Sequence, residues 1–229
     1  MKSHSSEIQS SEADLCAVIS SLEPAGAEFA FAALIGEAVR AGRRVQVITI
    51  RSPGETDLSL PQEVRRTSLH LNLREVSGLK KIFLFCRLFW RLRREFTKSS
   101  SHTLLSFMTQ TNVVALLCSF GCFQRRVVCE RTHPEYAPFL GKPPLRGILR
   151  LVRNLVYSIA DTVIVQSPSM VQCFPSRLHP KIKVIPNFLR DFALGFDVRV
   201  PREKTVLSVG RLVESKDHLI AIRVFARAS

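Results

Sequence analysis

Apolar residues along this chain recur in two rhythms. One is the short, near-continuous run: Leu15-Cys-Ala-Val-Ile19, Val45-Gln-Val-Ile-Thr-Ile50, Thr103-Leu-Leu-Ser-Phe107, Arg126-Val-Val-Cys129, Ala160–Ser167 with its following loop, and Ile182-Lys-Val-Ile-Pro-Asn187. Most are unbroken by regular polar alternation, the pattern of strands buried on both faces of a parallel sheet. A shorter strand is predicted around Thr67–Leu71. The other rhythm is helical. It runs over Phe29–Ala41, closed by Gly42; over Gly78–Lys98, where Leu79, Ile82, Phe83, Cys86, Phe89 and Trp90 share a face; over Thr111–Cys118; and over Leu145–Ser158, with Pro168 starting a further helix. Strands and helices in alternation predict an α/β fold: a Rossmann-like, doubly wound, mainly parallel sheet.

The same pattern marks boundaries. Residues 1–14 are polar, Ser/Glu-rich and lack the charged start and apolar core of a leader, so they read as a disordered tail. Residues 15–187 carry the predicted sheet, and 188–203, of mixed charge with Pro201, read as a linker. Residues 204–229 resume with a predicted strand, Thr205–Val209, a break at Gly210 and a helical stretch, His218–Ala226. They read as the start of an incomplete second Rossmann-like domain. One strand and one helix cannot bury both faces, so Val206, Leu207, Leu219, Ile222 and Phe225 are expected to stay partly exposed. No run of apolar residues is long enough for a membrane-spanning helix.

Composition changes the picture mainly through charge. With 33 Lys and Arg against 19 Asp and Glu, the net charge is +14. It is concentrated: Arg74–Lys98 holds eight Lys/Arg against two Glu, and Phe123–Asn154 seven against two. Such a field favours polyanions, whether an anionic membrane surface, phosphorylated substrates or nucleic acid. No zinc-finger spacing, RNP-like aromatic strand or basic arm accompanies it, so nucleic acid is the weaker reading. The basic, aromatic helix over Gly78–Lys98 suits an anionic bilayer, or else packs on the sheet with a solvated basic face. The six Cys are scattered without a Cys-x-x-Cys pair, as expected for reduced core residues of an intracellular protein, and no metal site is expected.

Candidate chemistry lies where loops follow strands, the ligand-binding edge of an open α/β sheet. Arg211 offers a planar fork and Lys216 a mobile point charge in the turn after Thr205–Val209, a pair suited to a diphosphate or else two solvated loop charges. In the loop after the first strand, Gly26 and Glu28 either line a cleft or serve the turn and the first helical turn. Glu130 and Arg131, directly after Arg126–Cys129, are placed to meet a ligand or to form an ion pair. His133 is a proton relay or a loop histidine before Pro134.

Five phrases in order carry a resemblance. Ser208-Val-Gly-Arg-Leu-Val-Glu-Ser-Lys-Asp217 resembles the opening of the second domain of family 4 glycosyltransferases of the GT-B fold. The loop at Ala25-Gly-Ala-Glu-Phe29 resembles their Gly-Gly-x-Glu-Arg loop, with Ala25 and Phe29 as departures. Cys129-Glu-Arg-Thr-His-Pro134, Ala160–Ser167 and Val184-Ile-Pro-Asn187 resemble three further family phrases. The resemblance implies two Rossmann-like domains facing a cleft, a nucleotide-sugar donor (UDP-linked), a saccharide or lipid-linked acceptor, retention of anomeric configuration and no metal cofactor. It maps the donor diphosphate onto Arg211 and Lys216, and the acceptor side onto Gly26, Glu28, Glu130 and Arg131. It also implies a cytoplasmic, peripherally membrane-associated enzyme. A complete donor domain takes on the order of ~100–150 residues, so this chain is expected to be a truncated fragment, inactive alone. The rival expectation is a non-catalytic Rossmann-like module that binds an anionic membrane or a partner chain.

Overall fold

The structure, a computed structural model, describes residues 13–72, 78–133, 145–188, 205–210 and 217–228. The chain divides into two units, Met1–Phe188 and Leu189–Ser229.

In the first unit the buried runs become strands. β1 (Leu15–Ile19) leads through α1 (Gly26–Arg40) to β2 (Val45–Thr49) and β3 (Arg65–Ser68). α2 (Leu79–Lys98), β4 (Thr103–Phe107), α3 (Thr109–Cys118) and β5 (Arg125–Cys129) follow. α4 (Leu145–Val156) tightens into a 3-10 turn at Tyr157–Ile159 before β6 (Thr162–Val165), α5 (Pro168–Val171), a second 3-10 turn at Ser176–Lys181 and β7 (Ile182–Val184). All neighbours pair in parallel, in a seven-stranded sheet of order β3-β2-β1-β4-β5-β6-β7. Ala17 of β1 sits opposite Val47 of β2 and Leu105 of β4, and Cys129 of β5 opposite Phe107 and Ile164. The doubly wound parallel sheet predicted from the apolar runs is the one observed.

Because side chains alternate across each strand, the sheet builds two apolar layers. On one face Val18, Ile48 and Leu104 pack under Leu88, Leu92 and Phe96 of α2 and Val114 of α3, continuing to Tyr157, Val163, Val165 and Phe174. On the other, Ala17, Val47, Leu105 and Phe107 pack under Phe31 and Ile35 of α1, with the Phe31 and Phe107 rings edge to face at 5.1 Å. Each buried Val, Leu, Ile or Phe side chain among these contributes roughly 1.5–3 kcal/mol of burial free energy.

Several boundaries differ from the sequence expectation, each for a local reason. α1 begins at Gly26 because the Phe29 N–H already donates to the Ala25 carbonyl at 2.9 Å. β3 closes at Ser68 because His70 takes a positive φ of 53°, although Leu69 and Leu71 remain buried and donate to the Thr49 and Ile50 carbonyls. β7 stops two residues before Pro186, which has no N–H to give.

The second unit contains α6 (His218–Ala228). The predicted strand at Thr205–Val209 is not formed. The segment is exposed, with Leu207 at 82% and Val209 at 86%, and it pairs with no strand among the described residues. A strand needs a ladder partner for its backbone groups, and this unit describes none. Leu219, Ile222 and Phe225 are exposed, as the apolar pattern leads one to expect. Most of the predicted linker lies outside the described residues.

Candidate active site

Chain order reverses between β1 and β4, so the crevice of this sheet opens at their carboxyl ends, between the loop entering α1 and the turn entering α3. The two walls approach one another where the Ser20 hydroxyl lies 4.0 Å from Met108 Sδ. Neither helix start carries a side-chain cap, so N–H groups at both point toward the crevice end of the sheet. The β1 wall is braced from behind by Arg51, whose guanidinium grips Glu23 through two 2.6 Å hydrogen bonds. Gly26 is the first residue of α1, and a Cβ added there would meet no atom within 4 Å. Its lack of a side chain therefore leaves room beside the backbone rather than relieving a contact. Glu28 is buried in the first turn of α1, where the helix dipole favours a carboxylate.

The β4 wall turns on Met108, which sits at φ 75° without being glycine. Non-glycine residues held there store on the order of 1–3 kcal/mol, maintained only when the surroundings over-determine them. They do so here. The Met108 N–H donates to the Cys129 carbonyl at 3.0 Å, and the Asn112 N–H returns to the Met108 carbonyl at 2.8 Å. Asn112 Nδ2 donates to the Cys129 carbonyl at 3.1 Å and to the Tyr157 hydroxyl at 3.0 Å.

Below this turn lies Glu130, fully buried. Thr109 Oγ1 donates to its Oε2 at 2.8 Å, the Tyr157 hydroxyl donates to its Oε1, and its own N–H donates to the Ile164 carbonyl. Burial pushes the Glu130 carboxyl up. The Tyr157 and Thr109 donors and the nearby Arg153 charge oppose that shift without cancelling it. Glu130, expected to meet acceptor hydroxyls, is enclosed in this structure. Both oxygens are engaged inside the protein, and the residue ties α3, β5 and the Tyr157 turn together beneath the crevice.

Arg131, the next residue, is placed differently. It is half-buried, its guanidinium stands 4.8 Å over the Phe107 ring, and Nη1 donates to Asn187 Oδ1 at 2.6 Å. Gln166 Nε2 donates to the same oxygen at 3.1 Å, so the ends of β5, β6 and β7 converge on this cation. Its Nε has no hydrogen-bond partner, and burial pulls its pKa down. A partly desolvated, pre-oriented guanidinium suits a charge-assisted hydrogen bond to a phosphate. His133 is half-buried, with Nε2 at 3.7 Å from Cys173 Sγ. Arg211 and Lys216 lie outside the described residues. No group of three or more His, Cys, Asp or Glu that could hold a metal occurs among the described residues. A shallow hollow of about 280 Å³, lined by Ser99–His102 and Gly121–Gln124, lies at the opposite, amino edge of β4 and β5, away from these groups.

Sequence reasoning missed Met108, Asn112, Tyr157 and Arg153. Arg153 belongs to the basic stretch Phe123–Asn154, yet it is fully buried. It donates to Asn154 Oδ1 and to the Cys173 carbonyl, and lies 4.7 Å over the Phe174 ring. One signal was present: Arg153 falls three and four residues before the buried Val156 and Tyr157, on the inward face of α4.

Comparison with known proteins supplies the class. No family model matches the chain. It is 26% identical, over 211 residues, to the Campylobacter jejuni alpha-1,4-N-acetyl-D-galactosaminyltransferase whose name gives a diphospho-undecaprenol-linked saccharide as its acceptor. The match covers 91% of this chain and 55% of that protein. Among solved structures, the chain is similar to sucrose-phosphate synthase from Thermosynechococcus elongatus, with TM-score 0.55 and 14% identity over 75% of this chain and 47% of that one. It is also similar to Anabaena HepE in complex with UDP and glucose, with TM-score 0.52 and 17% identity over 78% and 45% respectively. These likenesses place the first unit in the Rossmann-like α/β class found in such enzymes. The chain spans about half the length of the relatives it matches. No helix among the described residues is long and apolar enough to cross a membrane.

Proposed function

We propose that this chain forms the acceptor-binding side of a GT-B glycosyltransferase of the family 4 type, moving a sugar from a UDP-linked donor onto a lipid-linked saccharide. The observation that carries the reading is Arg131. It is a half-desolvated guanidinium oriented by Phe107 and Asn187 at the carboxyl edge, in a chain similar over 91% of its length to a transferase named for a diphosphate-linked acceptor. In this reading Arg131 holds an acceptor phosphate. Gly26 leaves the backbone of α1 open to the acceptor, and Met108 forms the floor between them. Transfer breaks the bond between the anomeric carbon and the donor phosphate and forms a glycosidic bond to an acceptor hydroxyl. The nucleoside diphosphate leaves, and the acceptor proton is lost to the leaving phosphate or to a nearby base such as His133. The leaving diphosphate must be met by fixed cations, the role assigned by resemblance to Arg211 and Lys216. Retention of configuration follows the same resemblance.

The test is sugar transfer. The chain, joined to the part of the Campylobacter jejuni relative that it does not span, is incubated with UDP-linked hexoses or N-acetylhexosamines and a polyprenyl-diphosphate-linked saccharide, and the product mass is read. Extension of the lipid-linked saccharide by one sugar, lost in Arg131→Ala, supports the reading. Sugar transfer that Arg131→Ala leaves unchanged removes Arg131 from the acceptor site. Absence of transfer with every donor, from a folded protein that binds the lipid, favours the non-catalytic module.

A further inference from the structure

The six cysteines sit in different surroundings, and only some of those surroundings can activate a thiol. Cys16, Cys118 and Cys129 are buried, and burial pushes their thiols up to about 12. Cys86 is exposed on α2. Cys122 is half-buried, and its Sγ accepts a hydrogen bond from Arg93 Nη1 at 2.9 Å, but a guanidinium cannot take up a proton. Cys173 is placed otherwise: it is half-buried, and its Sγ lies 3.7 Å from His133 Nε2. A thiol and an imidazole in contact form a nucleophile and a base.

Segments distant in sequence hold this pair together. His133 follows β5, two residues beyond Arg131, and Cys173 follows α5, so both stand toward the carboxyl edge of the sheet. The Cys173 N–H donates to the Met170 carbonyl at 3.1 Å, and the Cys173 carbonyl accepts from Arg153 Nη2 at 3.3 Å. The backbone of Cys173 is thus fixed both by its own turn and by α4. The charges around the sulfur are mainly positive. The buried Arg153 guanidinium interacts favourably with a Cys173 thiolate. Glu130, the acid beside Arg153, is enclosed by Thr109 and Tyr157. From Thr162 to Arg190 the sequence carries no Asp or Glu, while Arg177, Lys181 and Lys183 are basic. A neighbouring base and positive surroundings favour the thiolate, which is the nucleophilic form.

We infer that Cys173, with His133 as its proton acceptor, is a thiol modification site that takes a small disulfide and forms a mixed disulfide at the carboxyl edge of the sheet. The Cys173 proton passes to His133 Nε2, in the tautomer protonated on Nδ1. The thiolate sulfur attacks one sulfur of the incoming disulfide, the disulfide bond breaks, and a new sulfur–sulfur bond joins Cys173 to that half. The other half leaves as a thiolate and recovers the proton from the imidazolium. The incoming disulfide is itself the oxidant, so one thiol is consumed and one released. Neither residue needs the proposed function for this role.

The test is the rate of glutathionylation at each cysteine. The full chain is incubated with glutathione disulfide, and adducts are assigned over time by peptide mass, with the exposed Cys86 as reference within the same molecule. Cys173 should be modified faster than Cys86 despite its lower exposure, and dithiothreitol should restore the unmodified mass. Between pH 6 and 8 a free cysteine run alongside speeds up about tenfold per pH unit, and Cys173 should change far less. His133→Gln should slow Cys173 about three- to tenfold at pH 7, because a tenfold fall in thiolate fraction is half offset by higher intrinsic nucleophilicity. It should also give Cys173 the slope of the free thiol while leaving the Cys86 rate unchanged, which a merely structural role of His133 would not do. A Cys173 that reacts no faster than Cys86, or that follows the free-thiol pH profile in the unaltered protein, overturns the inference. So does a folded His133→Gln protein with the rate and slope of the original. The pH profile is read on the unaltered chain, so it decides the matter even where the substitution disturbs folding. None of these readouts needs a sugar donor or acceptor.

Discussion

Tyr157→Phe isolates the buried network beneath the crevice, because the substitution removes one oxygen and leaves the ring. That ring is fully buried and stacks on Phe174 with centroids 6.0 Å apart, so packing is unchanged. Lost are the donor to Glu130 Oε1 and the acceptor for Asn112 Nδ2. A hydrogen bond to a charged partner contributes about 1.5–3 kcal/mol and a neutral one about 0.5–1.5 kcal/mol. Asn112 Nδ2 keeps the Cys129 carbonyl, so the second loss is partial. The sum is about 3 kcal/mol, or roughly 6–12 °C in Tm for a unit of this size. The pH dependence has a definite sign. Burial holds the Glu130 carboxyl above its ordinary value, so its contribution to stability is full below the unfolded value and is lost as pH rises through the raised folded value. Tyr157 donates to that carboxylate and favours its charged form, so removing it raises the folded value further and the penalty grows with pH. Urea unfolding followed by circular dichroism from the acid range to neutrality measures both effects. A loss below ~0.5 kcal/mol, the scale of ordinary surface substitutions, or a penalty that shrinks as pH rises, would refute this account of the network.

Three further outcomes are expected. Phe107→Ala removes a fully buried ring that contacts both Phe31 and the Arg131 guanidinium; it should cost about 3–5 kcal/mol in chemical unfolding and weaken any ligand held by Arg131. At Met108, whose φ is 75°, Val should be at least ~1 kcal/mol less stable than Gly, because a β-branched side chain is strained there and glycine is not. Thiol titration should modify the exposed Cys86 quickly. Cys16, Cys118 and Cys129, whose thiols burial pushes up to about 12, should react only on unfolding; fast reaction of Cys129 would contradict the packing beneath the crevice.

The sheet was legible because its strands declare themselves locally: runs such as Leu15–Ile19 and Thr103–Phe107 are apolar on both faces, and no other arrangement buries them. Handed crossovers constrain the sense of each connection, but which strands become neighbours was not legible. The site was legible only as positions. That Glu130 and Arg131 follow a strand places them at the ligand edge, but which faces in and which faces out depends on partners distant in sequence. Thr109 and Tyr157 claim Glu130 across 21 and 27 residues, and Asn187 orients Arg131 across 56. Arg153 is a charge whose burial shows only in its helical phase with Val156 and Tyr157. Met108 carries no sequence signal, since a side chain other than glycine gives no warning of positive φ. Thr205–Val209 failed as a strand because propensity cannot supply a ladder partner.

The most direct test of the central claim is calorimetric titration of this chain with a short-chain polyprenyl-diphosphate-linked saccharide, beside its Arg131→Ala variant. Loss of hydrogen bonds from a guanidinium to a phosphate costs about 1.5–3 kcal/mol. The account therefore predicts saturable binding that weakens about tenfold to a hundredfold in the variant while the variant remains folded under the conditions of the titration. Equal affinity in the two proteins, or no binding by the folded chain, would contradict an acceptor site built on Arg131.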